Sequence, residues 1–179
     1  MAWLVKLRRF IDGLNERIGR AVSWLTLAIV CITAWDVTLR YLFRKGSVAL
    51  QELEWHLFGP VFLLAAGYTL LHDEHVRVDI FYSRLSPKMK ALIDLVGSLL
   101  FVIPLCVLLI WTSWGFVAAS WRAGEESPDP GGLPARYLLK AVIPLGFLFI
   151  GLQALAMAIK SLYILLDLEG ADPPEGEAP

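Results

Sequence analysis

Residues 95–119 read LVGSLLFVIPLCVLLIWTSWGFVAA and contain no Asp, Glu, Lys, Arg or His. About 20 mostly apolar residues are enough for a helix to cross a bilayer. Three further stretches approach the same pattern, so we predict membrane-spanning helices at about residues 21–41, 50–71, 91–119 and 138–166. The sequence therefore predicts an all-α membrane protein in which four transmembrane helices form a membrane domain of residues 21–168.

The composition of the whole chain points to the same class of protein. Hydrophobic residues make up 57% of the 179 residues and charged residues 18%, against roughly 45–50% and 25% in soluble domains. The formal net charge is −1, so there is no basic excess of the kind that nucleic-acid binding requires. Cys31 and Cys106 both lie in apolar runs, which indicates small buried side chains rather than a disulfide or a metal pair.

Several helix ends and interruptions can be read from single residues. Ser86 and Pro87 combine a capping hydroxyl with a proline that suits the first helical position, and Ser47 is placed to cap the second span. We expect Leu133 and Pro134 to start the fourth helix in a similar way. Prolines inside the predicted spans should kink their helices, and they are Pro60, Pro104 and Pro144.

The distribution of Lys and Arg predicts the orientation in the membrane. Nine such residues lie before the first span or between the second and third spans, whereas six lie in the other two connections. Cytoplasmic flanks carry the excess of Lys and Arg. We therefore expect a multi-pass membrane protein with both termini in the cytoplasm.

The two ends of the chain lie outside the predicted spans. Residues 3–18 would place apolar side chains on one face of a helix and basic side chains around it. We therefore predict an amphipathic helix over residues 1–20. It either lies in the membrane interface or contacts a partner helix. The acidic segment 169–179 is rich in Gly and Pro, so we expect it to be disordered.

Asp36 and Arg40 are one helical turn apart at the end of the first span. A local ion pair would make the charges tolerable near the interface. Charged residues inside membrane helices are also candidates for function, so a contact with a partner is the second interpretation.

Glu52, Glu54 and Trp55 open the second span. The two acids point about 200° apart on a helix and cannot form a pair of catalytic carboxylates. Acids in a first turn favour the helix dipole, and a Trp at this depth suits the membrane interface. Helix capping and anchoring is one interpretation, and contact with a second membrane protein is the other.

The three histidines do not predict a metal or haem site. His72 and His75 flank two acids, but metal sites need three or four ligands in fixed geometry. Haem ligation requires His residues on facing helices, and all three lie between positions 56 and 75. No catalytic triad, phosphate loop or metalloprotease motif is present. We therefore expect no cofactor, no metal and no enzymatic activity.

The order of several segments resembles a known family. Residues 35–43 (WDVTLRYLF) end the first span, residues 51–55 (QELEW) open the second, and residues 75–79 (HVRVD) follow it. Ser127-Pro128, Tyr137 and residues 143–146 (IPLG) come later. Together they resemble the small integral membrane subunit, of the DctQ type, of a tripartite ATP-independent periplasmic (TRAP) transporter, over residues 35–152.

This resemblance implies a helical subunit that lies against a large membrane subunit and enlarges its scaffold. The large subunit would carry the sodium and substrate sites and move like an elevator, and a periplasmic substrate-binding protein would deliver mostly organic acids. The chain itself would then have no direct substrate site and would lie in a bacterial inner membrane. The alternative is a four-helix scaffold or assembly subunit of another, non-transport membrane complex.

The segment after the second span contains the last candidate site. Arg77 and Asp79 share a face if the stretch is extended, and His75 precedes them. They form either a solvated surface run that attracts lipid headgroups or a clamp against the larger subunit. The candidate partner-binding residues are thus Asp36, Arg40, Glu52, Glu54, Trp55, His75, Arg77 and Asp79.

Overall fold

A computed structural model describes residues 2–72 and 85–168 of the chain. Within these residues the secondary structure is helical, which confirms the predicted all-α class. His75, Arg77 and Asp79 lie outside the described residues, and so does the predicted disordered tail. The four helices are α1 (Ala2–Phe43), α2 (Val48–Leu71), α3 (Pro87–Ala123) and α4 (Arg136–Leu165).

Three of these helices are long and apolar enough to cross a membrane. Among the described residues, these candidate spans are Trp3–Phe43, Pro87–Ala123 and Arg136–Leu165. Helix α2 has 24 residues but is not in this group, because its first three turns carry Gln51, Glu52, Glu54 and His56. The second of the four predicted spans therefore stays a prediction.

Helix α1 continues through the predicted boundary at residue 20. Its 42 residues extend about 63 Å at 1.5 Å per residue, roughly twice the thickness of a hydrocarbon core. Ile11, Asn15 and Val22 are buried, so one face of the N-terminal part packs inside the bundle. The expected amphipathic helix is thus not a separate element, and its place at the membrane interface stays a prediction.

Helix α4 is the central element, since it contacts α1, α2 and α3. Helices α2 and α4 run parallel, and small residues bring them close together. A Cβ atom on Gly146 would lie 2.8 Å from the Leu63 Cβ atom, and one on Gly59 would lie 2.7 Å from Leu139 Cδ1. Such close approach at glycine is a common way for helices to associate in a membrane, where the hydrophobic effect does not drive them together.

Two of the three predicted helix starts are confirmed. The Ser47 hydroxyl accepts a hydrogen bond from the Leu50 N–H (3.4 Å), and the Ser86 hydroxyl accepts one from the Met89 N–H (3.3 Å). The predicted start of α4 at Leu133-Pro134 is wrong. Helix α4 begins at Arg136, after Ala135 in the left-handed conformation with φ of 62°, because both backbone polar groups of Leu133 form hydrogen bonds outside the helix.

A π-helical turn over Ser98–Val102 interrupts α3 just before Pro104. The Ile103 N–H donates to the Ser98 carbonyl, five residues earlier. A proline inside a helix has no N–H and crowds the carbonyl four residues before it. The wider turn gives that carbonyl room, which explains why the interruption lies at this point.

The outer surface of the bundle is strongly apolar. Large side chains on α3 are mostly exposed, among them Phe101, Trp111 and Trp114 (69%, 80% and 68%). Soluble monomers rarely expose contiguous apolar surface on this scale. The fold therefore has the surface of a multi-pass membrane protein.

Candidate functional site

Glu52 fastens the connection between α3 and α4 onto the first turns of α2. Its side chain is nearly inaccessible, with the residue 4% exposed. Its Oε2 atom accepts a hydrogen bond from the Leu133 N–H (2.6 Å), and its Oε1 atom accepts one from the Ser127 hydroxyl. The Arg136 guanidinium lies 3.6 Å from Oε1. We call Glu52, Ser127, Gly132, Leu133 and Arg136 the loop cluster.

Gly132 is required in the loop cluster because there is no room for a side chain. A Cβ atom at this position would lie 2.3 Å from the Ser127 Oγ atom and 2.8 Å from Glu52 Oε2. The Gly132 N–H donates to the Asp129 carbonyl (2.9 Å), and the Ser127 N–H donates to the Leu133 carbonyl (3.1 Å). The loop is therefore a tight turn closed around one carboxylate.

Basic and aromatic side chains surround the loop cluster. The Arg136 guanidinium lies 5.4 Å from the centre of the Trp55 ring, a distance at which a cation is attracted by the ring face. Trp55 remains 40% exposed. Nearby, Lys140 donates to the Glu125 carboxylate and lies 4.1 Å from the centre of the Phe116 ring. The Lys140 hydrogen bond holds the pKa of the Glu125 carboxyl below its ordinary value.

The structure contains the ion pair between Asp36 and Arg40. Asp36 is 1% exposed, whereas about half of the Arg40 side chain, 49%, is accessible. Burying an ionised carboxylate is costly unless it is paired. Arg40 therefore neutralises Asp36 and leaves part of its own guanidinium at the surface.

The candidate residues at this end of the bundle are not equally accessible. Glu52 contacts residues of its own chain, while the neighbouring Glu54 is only partly covered. This difference agrees with the roughly opposite directions that helical geometry predicts for the two acids. The accessible candidates are thus Glu54, Trp55 and Arg40.

A second buried polar group, which the sequence analysis missed, joins α1 to α4. The Asn15 amide donates to Gln153 Oε1 (2.9 Å), and the Gln153 amide donates to Asp12 Oδ1 (2.9 Å). Asp12 also pairs with Arg8 at 3.4 Å. We call Asp12, Asn15 and Gln153 the amide cluster.

Gly67 of α2 packs directly against the amide cluster. A Cβ atom on Gly67 would lie 2.4 Å from Asn15 Oδ1. One turn further along α1, a Cβ atom on Gly19 would lie 2.3 Å from the Tyr68 ring. A signal for this contact was present in the sequence, since Asn15 is a polar residue four positions after Ile11 on an otherwise apolar face.

His72 at the end of α2 contacts an acid of α1 rather than a metal-ligand set. Its Nε2 atom lies 2.8 Å from Glu16 Oε2, and Glu16 also pairs with Arg20 at 2.6 Å. In the described part of the chain, no three His, Cys, Asp or Glu side chains lie close enough together to hold a metal ion.

Comparison with known proteins adds two findings. The family model for the DctQ component of tripartite ATP-independent periplasmic transporters matches residues 29–163. The chain is also similar to a putative TRAP transporter small permease protein of Haemophilus influenzae, with 27% identity over 106 residues, which cover 57% of this chain and 65% of that relative. The family match includes the loop cluster and Gln153, whereas Asp12 and Asn15 precede it.

Proposed function

The chain belongs to the DctQ component family of TRAP transporters, and we propose that it scaffolds the large, substrate-carrying membrane subunit of such a transporter. In this proposal a periplasmic binding protein delivers an organic acid, and a sodium gradient drives its uptake. The small subunit holds the fixed part of the assembly in the bilayer and has no substrate site of its own.

This proposal is supported by the partners of the buried polar groups, which lie within this chain. Glu52 binds the loop between α3 and α4, and Gln153 binds α1. These side chains therefore hold this chain's own helices together. A transport pathway would instead need polar groups or broken helices near the middle of the membrane. A scaffold subunit requires helices that are held together by contacts within the chain and an outer surface that is apolar.

We place the contact with the large subunit at two positions. At the end that holds the loop cluster, Trp55 and Glu54 offer an accessible aromatic and an acid, with the Asp36–Arg40 pair at the same end. Glu52 acts there by fixing the shape of the loop. At the other end, His75, Arg77 and Asp79 form the second contact, a proposal that rests on the resemblance of their segment to the family.

The proposed orientation has both termini in the cytoplasm of a bacterial cell. It is supported by the excess of Lys and Arg in residues 1–20, at the start of α1, and between α2 and α3. The loop cluster then faces the periplasm, where the binding protein arrives. The amide cluster lies towards the cytoplasmic side.

Reconstitution tests this function. Liposomes with the chain, its large subunit and the binding protein should take up an organic acid when a sodium gradient is imposed. Liposomes lacking the chain should take up much less, and the chain alone should take up none. Saturable uptake by the chain alone would contradict the scaffold role, and purification without a transporter subunit would contradict the assembly.

A further inference from the structure

A cleft of about 470 Å³ lies between the ends of all four helices, where α1 begins and α4 ends. Asp12 of α1, Leu71 of α2, Lys90 of α3 and Lys160 of α4 each contribute to its wall. In the proposed orientation, this end of the bundle lies on the cytoplasmic side. The cleft is separate from the loop cluster at the opposite end.

The polar part of the cleft suits an anionic group. Arg8, Lys90 and Lys160 contribute three cations, against two acids, Asp12 and Asp94. The floor adds polar side chains that are almost fully buried, since Gln153 and Ser161 are each 3% exposed. A phosphate can accept hydrogen bonds from such groups and gain from the positive balance.

Apart from His72, the rest of the cleft is apolar. Leu70, Met157 and Ile164 line it beside the charged residues. An inorganic anion would gain nothing from such a surface, whereas a phospholipid has a glycerol and acyl chains to place on it. Basic residues on the exposed side of α1 at the same end would attract anionic lipid, and they are Lys6, Arg9, Arg17 and Arg20.

We infer that this cleft binds the headgroup phosphate of an anionic phospholipid from the surrounding leaflet. The cations hold the phosphate, and the apolar wall holds the glycerol and the first methylene groups. Basic pockets between membrane helices bind such headgroups. The lipid would fill the space between the ends of the four helices and hold α1 and α3 against α4. This inference does not depend on the transporter function.

The experiment measures which lipid the full chain retains. The chain is placed in nanodiscs that contain phosphatidylglycerol and phosphatidylcholine, and native mass spectrometry identifies the lipid that remains bound. The wild type should retain phosphatidylglycerol in preference. The Lys90→Gln/Lys160→Gln variant should lose that preference by roughly tenfold or more, because each basic residue near anionic lipid contributes about one kcal/mol.

The matched control is Lys6→Gln/Arg9→Gln, which removes two exposed charges at the same end but outside the cleft. It should lose less of the preference than the cleft variant, because these side chains attract anionic lipid to the surface but do not contact the bound headgroup. If both variants lose the preference for phosphatidylglycerol equally, the lipid is attracted by the charged surface in general and the inference is wrong. It is also wrong if the wild type shows no such preference. Displacement of the lipid by inorganic phosphate alone would assign the cleft to a free anion. If the double variant does not fold by circular dichroism, Lys160→Gln alone makes the same comparison with Lys6→Gln.

Discussion

The side-chain amide of Asn15 donates a hydrogen bond to Gln153 Oε1 over 2.9 Å, although 138 positions separate the two residues in sequence. Both side chains are buried, with Asn15 0% and Gln153 3% exposed. Gln153 in turn donates to Asp12. Both hydrogen bonds join α1 to α4. The contact therefore selects how the N-terminal part of α1 packs on α4.

Replacing Gln153 by Leu should destabilise the bundle. The Leu removes one partner of Asn15 and one partner of Asp12, and leaving a buried polar group unsatisfied costs about 1–3 kcal/mol. Measured hydrogen bonds between membrane helices are weaker, at about 0.6 kcal/mol on average, so we expect a loss of about 1–2 kcal/mol in the free energy of unfolding. Equilibrium unfolding in mixed micelles measures it. The control is Gln51→Leu, at an exposed position of α2, and equal effects of the two changes would contradict this role.

Alanine at Gly67 and at Gly13 should change stability in opposite directions. At Gly67 the new methyl group would lie 2.4 Å from Asn15 Oδ1, whereas nothing lies within 4 Å of one at Gly13. Overpacking costs about 1–3 kcal/mol, while alanine in an open helical position gains about 0.5–1 kcal/mol over glycine. The same unfolding assay measures both variants. The Gly67→Ala loss should shrink in an Asn15→Ala background, and an undiminished loss would mean that Asn15 is not the obstacle.

The sequence predicts local features of this fold well. The caps at Ser47 and Ser86 and the Asp36–Arg40 pair all depend on residues within one helical turn of each other. Spacing along the chain determines such contacts. The apolar length of the spans likewise determines where α1, α3 and α4 lie.

The buried polar contacts could not be predicted in the same way. Glu52 finds its partners 75 and 81 positions later, and nothing in the spacing selects Ser127 and Leu133 among many polar groups. The same contact explains the wrong start of α4, because Leu133 is engaged with Glu52 before the helix begins. The continuity of α1 was predictable in part, since no proline separates residues 2 to 43.

Thiol labelling checks the proposed orientation. Pro130 is exposed in the loop between α3 and α4, and Lys88 is exposed at the start of α3. In a Cys31→Ala/Cys106→Ala background, Pro130→Cys should react with an impermeant reagent added outside intact cells. Lys88→Cys should react only after permeabilisation. The reverse pattern would place both termini outside.

The ion pair between Glu125 and Lys140 should make the loop sensitive to acid. The hydrogen bond from Lys140 lowers the pKa of Glu125 from its ordinary value of 4.5. A lowered pKa stabilises the folded state above pH 4.5, and this contribution is lost as the pH falls through the lowered value. Below about pH 4.5 the melting temperature should thus fall less steeply in Glu125→Gln than in the wild type. The control is Glu126→Gln, at an exposed neighbouring position, which should behave like the wild type. If the melting temperature falls equally steeply with pH in all three proteins, the ion pair does not contribute to stability.

Replacing Glu52 by Ala should loosen the loop and weaken assembly with the large subunit. The carboxylate accepts hydrogen bonds from the Ser127 hydroxyl and the Leu133 N–H, so its removal leaves both donors without this partner. A cysteine at Pro130 should then react several-fold faster with the thiol reagent. Ser127→Ala removes one of the two contacts and should have a smaller effect, and Glu52→Gln should be intermediate, because its amide nitrogen cannot accept.

The matched control for this prediction is Glu54→Ala, two positions away on a partly covered side of the same helix. It should leave the labelling rate unchanged, while co-purification with the large subunit should fall in both variants, because Glu52 shapes the loop and Glu54 contacts the partner. An unchanged labelling rate in Glu52→Ala would mean that the carboxylate does not hold the loop. Faster labelling without a loss of co-purification would mean that Glu52 holds the loop but that the loop is not part of the contact with the large subunit.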